Sequence, residues 1–174
     1  MANELYTRTN QKLYFAGLAL DAWRAADTAQ ALNARTQIQA AREGALFHLY
    51  GAVLGLCHEI AGYYRLPQAA APQVEQLLTR EVLDAAPSPE LAELVDLALD
   101  RQSWLGQLLA AYRQLFEPPR EAKKAKVDPA LALITAVDVG GQAEEGELGL
   151  DSLVAWQQQI KALATRFRDG MSEW

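Results

Sequence analysis

Hydrophobic residues recur at three- and four-residue steps through most of the chain, the spacing that gathers them on one face of a helix. Leu13, Ala16, Leu20 and Trp23 form the first such stripe. It predicts a helix that starts after Asn3, a good N-cap, with Glu4 in the first turn. The pattern fades over residues 28–33. Residues 34–65 then run without proline and predict one long helix, capped by Asn33 and closed by Pro67. Its core stripe is Leu46, Leu49, Val53, Cys57, Ile60 and Tyr64. Pro72 suits the first position of a third helix that buries Val74, Leu77, Leu78 and Val82. Ser88, Pro89 and Glu90 restart the chain as cap, first helical residue and first-turn acid. From there Leu91, Leu94, Val95, Ala98, Leu105, Leu108, Leu109, Tyr112, Leu115 and Phe116 make one continuous stripe, which predicts a single fourth helix. Its acids, Glu93, Asp96 and Asp100, read as a solvated face.

Pro118 and Pro119 stop that pattern. A basic tract, REAKKAK, and an acidic, glycine-rich tract then predict a mobile loop at about residues 117–150, with one short strand or helical turn over 130–139. Asp151 or Ser152 caps a last helix with Leu153, Ile160, Leu163, Ala164 and Phe167 inward, a line that Met171 and Trp174 continue. The fold expected is all-α: one domain, residues 1–174, an antiparallel bundle of four to five helices around the long central helix at about residues 34–65.

Four glycines interrupt that central helix. Gly44, Gly51, Gly55 and Gly62 fall within about 20° of one line on the helical wheel. Each costs a helix interior roughly 0.8–1 kcal/mol relative to alanine, so the line costs about 3–4 kcal/mol. Such a cost serves close approach, by a second helix or by a ligand. His48, His58 and Glu59 flank the line at about 40–60°. These seven residues are the candidate site: a tight helix contact or a small-molecule groove.

Composition narrows the possibilities. Half of the 174 residues are apolar (51%), and the net charge of −6 argues against a general nucleic-acid surface. A single cysteine, Cys57, excludes an intrachain disulfide and any cysteine-cluster metal site. Leu13 to Leu20 is too short and too closely flanked by Asp21 to read as a signal peptide. The apolar run from Gly44 to Cys57 is too short to cross a bilayer. A cytoplasmic protein with no membrane association is expected.

Catalytic patterns are sparse. His58-Glu59 opens like the zincin motif H-E-x-x-H, but Gly62 stands where the second histidine is required. His48 and His58 are about 15 Å apart along the axis and cannot share a metal within one chain. No Glu-x-x-His pair supports a di-iron site, and no P-loop, G-x-S-x-G or G-x-G-x-x-G is present. No metal and no cofactor are expected.

From MANELYTRTNQKLYFAGLAL to RFRDGMSEW the chain resembles a family of small uncharacterised gammaproteobacterial helical proteins, a resemblance that implies no activity. Within the long helix, AREGALFHLYGAVL is similar to the helix of HEPN-type bundles, in which arginine, four to six residues and histidine form an RNA-cleaving motif. Arg42 and His48 match that spacing, although Glu43 replaces the usual small polar residue and the motif sits on the second helix rather than a late one. Arg42 and His48 also lie about 120° apart on the wheel. The expectation is a non-enzymatic bundle acting through protein contacts, with a partner protein or a second copy. The alternatives are a HEPN-like RNA-binding or ribonuclease domain, with Arg42 and His48 as catalytic candidates, and a small-molecule binder using the glycine line.

Overall fold

The computed structural model describes residues 2–118 and 148–172, and among these every regular element is helical. α1 (Ala2–Ala29) and α2 (Ala34–Tyr63) are long. They are followed by a 3-10 turn (Val74–Gln76), α3 (Arg80–Ala85), α4 (Pro89–Leu99), α5 (Trp104–Gln114) and α6 (Leu150–Ser172). The expected loop and the short element at 130–139 lie largely outside the described residues.

α2 is the most enclosed element. Leu46, Leu49, Val53, Cys57 and Ile60 of the expected stripe are all at most 2% exposed. α1 returns antiparallel along it, so that Ala19 meets Gly44 and Leu5 meets Gly62. α6 packs on both α1 and α2, while α5 packs on α2 and carries α4 with it. By length and hydropathy α2 could cross a bilayer, but 67% of its apolar window is buried against the other helices.

Several boundaries differ from those the pattern predicts. The fourth helix is two helices. Asp100 is extended (φ −80°, ψ 106°), its carboxylate accepts the Gln102 N–H, and the Ser103 hydroxyl accepts the Gly106 N–H to start α5. Asp and Ser offer the backbone these local bonds in place of helical ones. Ala98 and Leu105 are seven residues apart, so the spacing of apolar residues in the sequence runs on without a sign of the break. The third helix does not begin at Pro72; a 3-10 turn occupies its first part, and Thr79 caps the short α3 by accepting the Val82 N–H. Asn33 and Ser88 hold the expected N-cap positions, but neither side chain makes a capping bond. α6 starts at Leu150, which puts Asp151 and Ser152 inside its first turn.

Candidate functional site

The four glycines of α2 lie under α1. A Cβ on Gly55 would stand 2.6 Å from Thr9 Oγ1 and 3.2 Å from Thr9 Cα, so this residue has to be glycine for the helices to close. At Gly51 the nearest atoms to a new Cβ would be the Lys12 methylenes, at 3.1–3.4 Å. At Gly44 it would touch the Ala19 methyl at an ordinary 3.8 Å. Gly62 faces Leu5 Cδ1 at 3.3 Å. The line is a helix–helix seam filled by this chain's own α1, and at Gly55 it leaves no room for a second occupant.

Where the seam is tightest it carries a polar cluster. Glu59 is 3% exposed and Thr9 fully buried. The Thr9 hydroxyl donates to Glu59 Oε1. Arg168, from α6, clasps the same carboxylate with both sides of its guanidinium: Nε donates to Oε2 at 2.8 Å and Nη2 to Oε1 at 2.8 Å. Its remaining arm, Nη1, donates to Asn10 Oδ1 at 3.0 Å, and the guanidinium lies 4.7 Å from the Tyr6 ring centroid. The hydrogen-bonded carboxylate raises the Arg168 pKa further above its ordinary value, against the opposing effect of burial. Both carboxylate oxygens are thereby occupied, and the cluster ties α1, α2 and α6 together. Glu59 is enclosed with its ion-pair partner, and in this arrangement it serves as an anchor.

The other candidates are similarly engaged. His58 Nε2 is 2.8 Å from the Ala71 carbonyl oxygen, which accepts its N–H and holds the chain after α2 against the helix. Cys57 is enclosed, and burial pushes its thiol pKa up to about 12. His48 sits between Phe15 and Phe47, with ring centroids 5.3 Å away on each side. Its Nδ1 is buried with no hydrogen-bond partner. Burial first, and the Lys12 charge second, lower its pKa, so the neutral ring is favoured. Arg42 lines a different groove, of about 550 Å³, with Trp23, Arg35 and Leu115. The structure thus leaves Arg42 and His48 on separate surfaces. Among the described residues no group of three or more His, Cys, Asp and Glu side chains could hold a metal ion.

Sequence reasoning found Glu59 but not its partners. Thr9 is an unremarked polar residue inside α1, and Arg168 is 109 residues away in sequence. The available signal was Arg166-Phe167-Arg168, two arginines flanking a core residue. A second polar anchor was also missed. Tyr50 stacks on Tyr112 with centroids 3.8 Å apart, donates its hydroxyl to Glu75 at 2.9 Å and accepts the Val74 N–H at 3.0 Å.

Long helices locked by buried side-chain contacts, with Glu59, His58 and Cys57 engaged in packing, define an all-helical protein among the described residues. A family model matches residues 1–174, and the chain belongs to that family, DUF6586, a family of unknown function. No curated protein and no solved structure is detectably similar to it.

Proposed function

We propose that this protein acts by protein–protein contact rather than catalysis, as an antiparallel bundle built around α2 that pairs with a second copy of itself. The observation that carries this reading is a continuous run of rings across the α1–α2 surface. Tyr14 lies 6.2 Å from Phe15, Phe15 5.3 Å from His48, and His48 5.3 Å from Phe47. Its two ends are open, Tyr14 at 64% and Phe47 at 48% exposure, and Leu18 one turn beyond Tyr14 is 49% exposed. Lys12 extends over Phe47, 5.0 Å from the ring centroid. Aromatic side chains bury large areas at little entropic cost and favour interfaces. A strip of this kind suits a two-fold contact, because tilted ring pairs form equally well against the same strip on another copy.

Light-scattering mass across a concentration series tests it. The wild type should shift from monomer to dimer as concentration rises, and a Tyr14→Ser/Phe47→Ser variant should stay monomeric with its helical content intact. A monomeric wild type at every concentration would remove self-association. RNA cleavage lost in His48→Ala would move the reading to the ribonuclease alternative.

A further inference from the structure

One cavity lies away from both the glycine seam and the aromatic strip. It is a groove of about 780 Å³ between the start of α3, the end of α4 and one side of α5. That size falls in the range of small-molecule sites, roughly 300–1,000 Å³. Its shape depends on Gly106, where a Cβ would collide with the Asp100 carbonyl oxygen; the turn between α4 and α5 folds directly onto the first turn of α5.

The lining has two kinds of chemistry. Leu78, Ala98, Leu99, Leu109 and Ala110 supply apolar surface, and Leu99 is 54% exposed although large and aliphatic. Arg80, Arg101 and Arg113 supply three guanidinium groups. In a chain of net charge −6, three arginines around one cavity run against the overall balance. Arg80 is paired with Asp96 at 2.8 Å. Arg101 and Arg113 make no side-chain hydrogen bond or ion pair among the described residues. The one acid on the wall, Glu75, is held by the Tyr50 hydroxyl. The nearby Asp100 carboxylate is turned to the Gln102 N–H.

We propose that this groove binds a small amphipathic anion: an apolar body laid on Leu99 and Leu109, with a carboxylate or phosphate head between Arg101 and Arg113. Planar guanidinium groups pair with either head through charge-assisted hydrogen bonds. The apolar surface selects against a bare ion. This site is independent of the aromatic strip and of any self-association through it.

Titration of the full chain with 8-anilinonaphthalene-1-sulfonate, itself an aromatic anion, tests the proposal. Arg101→Gln/Arg113→Gln should weaken probe binding ten-fold or more while leaving the thermal midpoint unchanged, since both side chains are exposed. Leu99→Ser should weaken it several-fold. Octanoate and octyl phosphate should compete in the wild type, the better competitor identifying the head group, and inorganic phosphate should not. Undiminished binding in the double arginine variant would overturn the proposal. So would displacement by inorganic phosphate as effective as by octanoate, or loss of probe binding in Phe47→Ser, which would place the probe on the aromatic strip.

Discussion

Arg166 and Arg168 leave the same turn of α6 on either side of the buried Phe167 and grip carboxylates on two different helices. Arg166 makes two bonds to Glu93 of α4, at 2.9 and 2.6 Å, and Arg168 makes two to Glu59 of α2, both at 2.8 Å. Geometry and chemistry are alike; burial is not. The Arg166 and Glu93 side chains are 59% and 37% exposed, those of Arg168 and Glu59 20% and 0%. In water the ions of the first pair lose little when separated, so it contributes a fraction of a kcal/mol. In the second, removing Arg168 leaves Glu59 buried without its counter-charge, with Thr9 its remaining partner. The difference teaches that a salt bridge has no fixed value: what matters is the state of the partner left behind.

The largest effect expected is at Arg168. Arg168→Met should lower unfolding free energy by about 3 kcal/mol, near the low end for a broken buried pair because the arginine is partly exposed. Urea unfolding checks this, and a Glu59→Met/Arg168→Met variant should recover most of the loss. If the double variant is no better than the single, stranding of Glu59 is the wrong cause.

Next comes the seam that holds Thr9 against Glu59. Gly55→Ala should cost about 1–3 kcal/mol by overpacking against Thr9, despite alanine's better helix propensity. Gly44→Ala, which meets only a methyl at contact distance, should stabilise by roughly 0.5–1 kcal/mol. Equal effects at the two positions would contradict the different spacing read along the seam. Arg166→Ala, the exposed counterpart, should cost less than about 1 kcal/mol and vanish into error at 1 M salt. A loss comparable to that of Arg168→Met would erase the contrast between the pairs.

The smallest effect concerns His48, a half-buried polar group of the same α1–α2 interface whose Nδ1 has no hydrogen-bond partner. Burial and the Lys12 charge hold its folded pKa below the ordinary histidine value of 6.5. Between those two values the unfolded chain binds a proton that the folded chain does not, so His48 makes stability fall as pH drops below about 6.5. His48→Gln should flatten the urea midpoint between pH 7.5 and 5.5 relative to wild type. An identical pH profile in the variant would assign the dependence elsewhere.

The helical fold was legible because periodicity is a local property. The stripe from Leu46 to Ile60 named the buried face of α2, and the glycine line pointed to a close approach that the structure places at Gly55, against Thr9. What lay against the glycines was not legible, because any small or slender residue can fill such a seam. The break between α4 and α5 escaped notice for a related reason. Side-chain bonds from Asp100 and Ser103 redirect the backbone while the spacing of apolar residues in the sequence carries on. Glu59 showed itself as a polar residue beside the glycines, but no periodic pattern links it with Arg168. The cluster is a product of tertiary packing, and sequence distance hides it.

Cys57 gives these comparisons a common clock. Its thiol is enclosed in the middle of α2, and burial pushes its pKa up to about 12. Labelling by an aromatic disulfide reagent requires the Cys57 thiolate to attack the reagent's S–S bond and expel an aromatic thiolate, so it has to wait for the surrounding core to open. Where reclosing outpaces reaction, the labelling rate reports the population of the open form, and each loss of about 1.4 kcal/mol quickens it ten-fold. The molecule therefore carries its own unmutated stability gauge. On that gauge Arg168→Met should run roughly a hundred times faster than wild type, and Arg166→Ala should keep nearly the same time.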